Sequence, residues 1–169
     1  MSSYGLRSTS YRQPSQVQLH VRIHFFEYQL PVVVWLLLIF FLSTDAFSTL
    51  ETSKFIVPAL RYAFPGLSYE QIQFWHLVIR KLAHMAEYGI LAVLAYRCFK
   101  NGQTDLGDSK LSTIGFVLMA ALMDEWHQRF TALRGASILD VGYDCLGGVW
   151  ALGLIGLYEI WRLRSHSIL

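Results

Sequence analysis

The chain has 169 residues, enough for one domain, and 54% of them are hydrophobic, above the roughly 45–50% of soluble domains. Its formal net charge is only +2 and no basic patch alternates with aromatic residues, which argues against a nucleic-acid partner. Cys98 and Cys145 lie in apolar helical stretches, so we expect two small buried hydrophobic residues rather than a disulfide or a metal pair.

Residues 1–27 are predicted to form a polar and interfacial arm. Within it, residues 16–25 alternate polar and apolar side chains and are interpreted as a lead-in to the membrane. The first membrane span is predicted over residues 28–47, with Pro31 in its first helical turn. A cleaved signal peptide is the alternative, but the long leader and the lack of a small-residue cleavage pattern disfavour it.

The second predicted helix follows a predicted loop over residues 48–67, which contains Pro58. Ser68 and Gln71 form a capping box at the start of this helix, which is predicted to run from 69 to 99. At 1.5 Å per residue it would be about 45 Å long, longer than the roughly 30 Å hydrocarbon core of a bilayer. Its first turns are therefore expected in the membrane interface.

Two more spans complete the predicted fold, at residues 110–128 and 138–161, the last with Ser137 as N-cap. The fold class is therefore all-α: a four-helix transmembrane bundle over residues 28–161, followed by a basic tail over 162–169. The basic residues predict cytoplasmic termini and a multi-pass protein of the plasma membrane, although four basic residues lie on the opposite side. The residues that favour this orientation are Arg7, Arg12, Arg22, Arg97, Lys100, Lys110, Arg162 and Arg164.

Ionisable residues inside the apolar helices are the strongest indication of function, because lipid tolerates charge poorly. Following the chain back and forth across a bilayer brings three polar clusters to the extracytoplasmic end of the bundle. On the fourth predicted helix, Asp140 and Asp144 share one stripe with the small residues Gly147 and Ala151. These small residues would let the helices approach closely. The clusters are Lys81, His84, Glu87 and Tyr88 on the second helix, Asp124, Glu125 and Gln128 on the third, and Asp140 and Asp144 on the fourth.

These residue types permit several roles. In a catalytic interpretation, Glu87 or Asp124 is a general base and His84 its acid–base partner. In a binding interpretation, Lys81 and Arg134 hold an anion, since both present hydrogen-bond donors with a positive charge. The other candidate ligand-binding residues are Tyr88, Glu125, Gln128, Asp140 and Asp144.

Plainer interpretations of the same residues remain open. The cluster can be a polar network that only fixes the packing of three helices. Asp140 alone can be an N-terminal helix cap. No cofactor is predicted, because no strong ligand spacing is present. A divalent cation held by one histidine and the carboxylates is a further alternative.

The combined pattern Lys81-x-x-His84-x-x-Glu87-Tyr88, Asp124-Glu125-x-x-Gln128 and Arg134-x-x-Ser137-x-x-Asp140-x-x-x-Asp144-x-x-Gly147 resembles the VanZ-like family. The resemblance covers about residues 78–150. It implies a small multi-helix membrane protein of the cell envelope. The family's namesake is associated with resistance to the glycopeptide antibiotic teicoplanin, which makes such a link an expectation here.

Three functions are compatible with these observations. The first is a membrane protein whose outer polar pocket binds a lipid-linked or cell-wall-related ligand, such as a cell-wall precursor. The second is a membrane-embedded hydrolase or transferase acting on a lipid-linked substrate. The third is a structural helper that assembles with other membrane proteins through Gly147, Gly148 and Ala151. The expected partner in every case is the lipid bilayer.

Overall fold

The computed structural model describes residues 25–102, 106–130 and 137–166, and within these ranges the chain forms helices and no strand. The predicted all-α class is thus confirmed. A five-residue π-helical turn, Phe25–Gln29, leads into the first helix. The five α-helices are α1 (Leu30–Leu42), α2 (Thr49–Ala63), α3 (Tyr69–Gly102), α4 (Leu106–Gln128) and α5 (Ile138–His166).

Helix α3 is the centre of the fold, because it contacts each of the other four helices and shares its largest interface with α5. The predicted capping box starts it: Gln71 Oε1 accepts from Ser68 N–H at 2.9 Å, and Ser68 Oγ accepts from Gln71 N–H at 3.3 Å. Apolar residues of α3, such as Leu91 and Ala92, are fully buried in the core. Helix α1 is joined to this core by the Trp35 indole, which donates to the Glu87 carbonyl at 2.8 Å.

Helices α3 and α5 approach each other closely at Gly147. A Cβ atom at this position would overlap the backbone of Met85 on α3. One residue further, a Cβ on Gly148 would lie 3.0 Å from Val117 of α4. Small side chains therefore let α5 pack against α3 and α4 within one chain, as is common between membrane helices.

The loop predicted over residues 48–67 is wrong, because α2 occupies most of it. Ser48 caps this helix by accepting from Glu51 N–H at 3.4 Å, and Thr52 Oγ1 donates to the Ser48 carbonyl at 2.8 Å. Pro58 lies inside α2 and removes one backbone donor. No residue of α2 is buried, so water can satisfy the carbonyl that loses its partner.

Other predicted boundaries also shift. The first helix ends at Leu42 instead of residue 47, because the chain turns there: Ser43 N–H donates to Ile39 O, and a 3₁₀ turn, Asp45–Phe47, follows. Helix α3 continues to 102, and α4 begins at 106 rather than 110. The predicted basic tail is helical as far as its fifth residue, His166. The lead-in over residues 16–25 falls, except for Phe25, outside the described residues.

Two stretches of the described chain are long and apolar enough to cross a membrane, Phe25–Leu42 and Ile138–Ser165. Large apolar side chains are also exposed on α1, α4 and α5, and soluble proteins rarely expose so many together. Among them are Leu37, Phe41, Leu111, Met119, Trp126, Trp150, Leu157 and Trp161.

Candidate functional site

The polar residues of α3, α4, α5 and the end of α1 meet at one end of the helix assembly. Helices α1 and α4 end there, and α5 begins there. Helix α3 extends past this level and contributes residues from near its middle. Contacts between these helices therefore bring together residues that are up to 85 positions apart in the chain. Three groups of side chains can be distinguished by their contacts.

The first group is buried between α1 and α4. Gln128 Nε2 donates to Ser43 Oγ at 2.8 Å and to Asp124 Oδ2 at 2.9 Å. Asp124 and Ser43 are each only 1% exposed, and Tyr88 is completely buried. A group shielded in this way stabilises the packing of helices, but it is poorly placed to meet a ligand from outside.

The second group surrounds His84. Its Nδ1 lies 3.7 Å from Glu87 Oε2, one turn along α3, and 3.9 Å from Asp144 Oδ1 on α5. The His84 and Glu87 side chains are about a quarter exposed, whereas Asp144 is buried. Both carboxylates face the same ring nitrogen, so each attracts a positively charged imidazole, but the ring does not bridge them. Both distances exceed those of a hydrogen bond, so the observed relation is electrostatic.

The third group lies at the start of α5. Lys81 Nζ contacts Asp140 Oδ1 at 2.8 Å and stands 4.0 Å from the centre of the Tyr143 ring. The Lys81 and Asp140 side chains are both nearly half exposed. The Asp140 carboxylate therefore contacts another helix, and Ser137 provides the cap by accepting from Leu139 N–H at 3.3 Å.

Glu125 belongs to the same end of the assembly, where its Oε1 accepts from Ser137 N–H. This bond joins the end of α4 to the beginning of α5 across the intervening loop. Arg134, the second predicted anion-binding residue, lies in that loop and outside the described residues. The structure thus brings together every predicted site residue that it describes, in three groups instead of one.

A cleft of about 130 Å³ opens beside the second group, between α2, α3 and the turn after α1. Arg80, His84 and Glu87 of α3 line it, together with Thr52 of α2. Apolar side chains form the remaining walls: Leu42, Phe47, Ile56, Ile79 and Ala83. The cleft therefore combines a permanent cation, an imidazole and a carboxylate with an apolar surface.

Sequence reasoning missed Arg80, the most distinctive residue of this cleft. Its Nη1 donates to the Phe47 carbonyl at 2.9 Å and to Thr52 Oγ1 at 2.8 Å. Thr52 also lies 3.4 Å from Nε2 of the buried His76. These contacts hold α2 against α3. The Arg80-Lys81 pair was the available signal, because two adjacent basic residues of a helix point about 100° apart and therefore toward different neighbours.

A fourth polar group, also not predicted, lies at the other end of the helices. Glu159 of α5 accepts from Tyr96 and Lys100 of α3 at 2.8 and 2.7 Å, and its second oxygen is 3.3 Å from Lys110 of α4. One carboxylate thus joins three helices. Its sequence signal was Glu159, an acid near the end of an otherwise apolar span.

No group of three or more His, Cys, Asp or Glu side chains in the described ranges is arranged to hold a metal ion. The geometry therefore gives no support to the divalent-cation alternative.

Two stretches of the described chain are apolar and long enough to cross a bilayer, and Asp124 and Asp144 are buried, which together point to a small helical membrane protein. The family model that matches is VanZ/LLP1, over residues 28–161. The chain belongs to this family, as its polar pattern predicted. Searches of curated proteins and of solved structures gave no significant match.

Proposed function

We propose that α1, α3, α4 and α5 cross the plasma membrane and that the cleft beside His84 binds the polar head of a lipid-linked or cell-wall-related ligand. The observation that carries the proposal is the cleft itself, where Arg80, His84 and Glu87 adjoin apolar walls. Such a lining matches an amphiphile with an anionic head. Helix α2 would lie along the membrane surface and cover one side of the ligand.

The side chains of α4 support a membrane-spanning role for this helix. Its polar residues Thr113, Asp124 and Gln128 are buried, whereas its large apolar residues are exposed. A helix in water shows the reverse distribution. The exposed apolar residues are Leu111, Ile114, Leu118, Met119, Leu122, Met123 and Trp126. Because the polar residues lower its mean hydropathy, composition alone does not reveal α4 as a span.

The positive-inside rule supports an outer position for the cleft. Lys100 and Lys110 lie at the end of the helices opposite the cleft, near Arg97 of α3 and Arg162 of α5. Lysine and arginine favour the cytoplasmic side of a membrane. The cleft would consequently open on the extracytoplasmic side, where cell-wall precursors are used.

Arg80 supplies the feature that selects an anion. Its guanidinium is permanently charged and has donors in a planar fork, which suits a phosphate. Hydrogen bonds to charged groups contribute about 1.5–3 kcal/mol each. Losing one bond to a bound phosphate should therefore lower affinity roughly tenfold or more.

Binding of a polyprenyl phosphate to the purified protein in nanodiscs tests the proposal. We expect Arg80→Gln to weaken binding at least tenfold, and Arg97→Gln, which removes a cation from the opposite end, to leave it unchanged. Thr52→Val changes another residue of the cleft and removes the contact of Arg80 with α2, but it keeps the cation. If Thr52→Val weakens binding as much as Arg80→Gln, the charge of Arg80 does not hold the phosphate and the binding role is wrong.

A membrane-embedded hydrolase or transferase is the second candidate, and the position of His84 near both Glu87 and Asp144 favours it. In such an enzyme Glu87 accepts the proton of an attacking water or hydroxyl, and His84 shares the charge. Conversion of polyprenyl phosphate or diphosphate into product should then be measurable. The rate of this conversion should fall at least a hundredfold in Glu87→Gln. Equal turnover by Glu87→Gln and the unchanged protein would exclude this role.

The proposed link to teicoplanin-type resistance can be tested separately. Expression in a susceptible bacterium should raise the inhibitory concentration of teicoplanin, and Arg80→Gln should abolish the increase while the protein still reaches the membrane. An increase that persists in Arg80→Gln would separate resistance from the cleft.

The structural-helper hypothesis loses part of its basis, because Gly147 and Gly148 already pack against α3 and α4 of the same chain.

A further inference from the structure

A second and larger cavity, of about 580 Å³, lies between α3 and α5 on the side of α3 that faces away from the cleft. Every residue that lines it is apolar or a glycine. On α3 these residues lie between Leu82 and Val93, and on α5 they lie between Leu146 and Leu154. The cavity is a groove on the outside of the helix pair, because Leu82, Trp150 and Leu154 are also largely exposed.

Small residues deepen this groove. Ala86, Gly89 and Ala151 take the positions where larger side chains would fill it. At Gly89 an added Cβ would lie 3.7 Å from the Ala151 Cβ. A chain of methylene groups is narrow enough for such a groove, whereas the side chains of another packed helix are bulkier.

The groove has the length of one membrane leaflet. From Leu82 to Val93 α3 advances 11 residues, which at 1.5 Å per residue is about 17 Å. Half of the roughly 30 Å hydrocarbon core is about 15 Å. One acyl chain of a lipid in the outer leaflet would therefore match the groove from end to end.

A pair of opposite charges stands at the outer end of the groove. Lys81 precedes Leu82 on α3 and contacts Asp140 at 2.8 Å, while Tyr143 of α5 lies under its ammonium group. Both charges are nearly half exposed and can reach a lipid head. A purely anionic head would meet Lys81 but also be repelled by Asp140. A zwitterionic head complements both residues.

We propose that this groove binds a phosphoethanolamine lipid. One acyl chain lies between α3 and α5, the phosphate contacts Lys81, and the lipid ammonium group contacts Asp140. The proposal rests on the membrane-spanning arrangement of α3 and α5 but not on the cleft. It assigns Lys81 and Asp140 to a lipid site separate from that of Arg80 and His84.

Native mass spectrometry of the purified protein tests the proposal. The protein is released from micelles that contain equal amounts of phosphatidylethanolamine and phosphatidylglycerol with the same acyl chains. We expect one phosphatidylethanolamine adduct, retained several-fold over phosphatidylglycerol. Ala86→Phe fills the groove and should remove the adduct, whereas Met119→Phe, on the exposed face of α4, should keep it. Asp140→Asn should abolish the preference between the two lipids, because Lys81 then meets either phosphate without a neighbouring negative charge.

Equal retention of the two lipids by the unchanged protein would overturn the proposal, as would an unchanged adduct in Ala86→Phe. If Ala86→Phe does not fold, Ile90→Trp replaces it, because it obstructs the groove further from the polar residues. An unchanged adduct in Ile90→Trp would likewise overturn the proposal. Arg80→Gln is expected to keep the phosphatidylethanolamine adduct while it loses binding of polyprenyl phosphate. The groove proposal and the cleft proposal can therefore be contradicted independently.

Discussion

At the scale of single residues, the polar side chains differ mainly in how far they are shielded. Asp124 and Gln128 are buried, and Gln128 bonds to Asp124 within α4 and to Ser43 after α1, whereas Glu87 and Lys81 remain accessible. Shielded pairs fix the packing of helices, because an unpaired polar group is costly in a membrane. The accessible residues are the ones available to a ligand.

Gln128→Leu tests the shielded pairs. This change removes the bond to Ser43 and the bond to Asp124 within α4, and a hydrogen bond between membrane helices, such as the one to Ser43, contributes about 0.6–2 kcal/mol. We expect the free energy of unfolding in micelles to fall by about 1–2 kcal/mol. Met123→Leu, at an exposed position of α4, should leave it unchanged. Equal stability of the two variants would contradict a structural role for Gln128.

The sequence predicted that polar residues of three helices lie near one another, and the contact of Lys81 with Asp140 agrees with this. It did not predict the partners. Lys81 and His84 are one turn apart, yet one contacts Asp140 and the other Asp144. Which acid each residue meets depends on the rotation of α5 against α3, and helical spacing leaves that rotation open. Arg80 was missed for a related reason, since its partner helix α2 was predicted to be a loop.

At the scale of helices, the contact of α3 with α5 depends on one glycine. The backbone of Met85 occupies the space that a side chain at Gly147 would need, whereas a Cβ added at Gly153, six residues further along α5, would have no neighbouring side chain or helix of the described chain within 4 Å. A side chain at the first position must separate the two helices. At the second position it meets open space.

Gly147→Ala should therefore lower the melting temperature strongly, or prevent folding, because the two backbones cannot separate without disturbing the contacts of Lys81 and His84. Gly153→Ala is the matched control and should stabilise α5 by about 0.5–1 kcal/mol through its helix propensity. Thermal unfolding followed by size-exclusion chromatography in detergent compares the variants. Similar melting temperatures for Gly147→Ala and Gly153→Ala would show that the close approach is unimportant.

Helix α2 shows why a composition-based prediction fails at an amphipathic surface helix. Pro58 indicated a loop, but Ser48 caps the helix, and a stripe of partly buried residues, Thr52, Ile56 and Leu60, faces the rest of the protein. The proline is accommodated on an exposed surface. The stripe at four-residue spacing was the signal that favoured a helix over the predicted loop.

At the scale of the whole molecule, the proposed arrangement fixes which loops face which side of the membrane. The turn before α3 and the polar cleft belong to the outer side, and the α3–α4 connection belongs to the inner side. Among the described residues, hydropathy alone identifies α1 and α5 as candidate spans and does not identify α3 and α4. The structure adds that Asp124 and Glu125 of α4 are buried, although they lower the mean hydropathy of this helix.

Cysteine labelling in whole cells tests this orientation in a variant with Cys98→Ala and Cys145→Ala. A cysteine placed at Gly66, in the turn before α3, should react with a membrane-impermeant maleimide without permeabilisation. A cysteine at Asn101, at the end of α3, should react only after the cells are permeabilised. The opposite pattern would place the cleft on the cytoplasmic side and rule out access to external precursors.

The Glu159 group has a mechanical consequence for the bundle. Because one carboxylate contacts residues of α3 and α4 from α5, the three helices are held together at the end opposite the cleft. At the opposite end Lys81 and Asp140 are exposed and α2 is anchored by few bonds. We therefore expect the helices to separate more easily at the cleft end than at the Glu159 end, so that a guest could enter or leave while the Glu159 contacts stay intact.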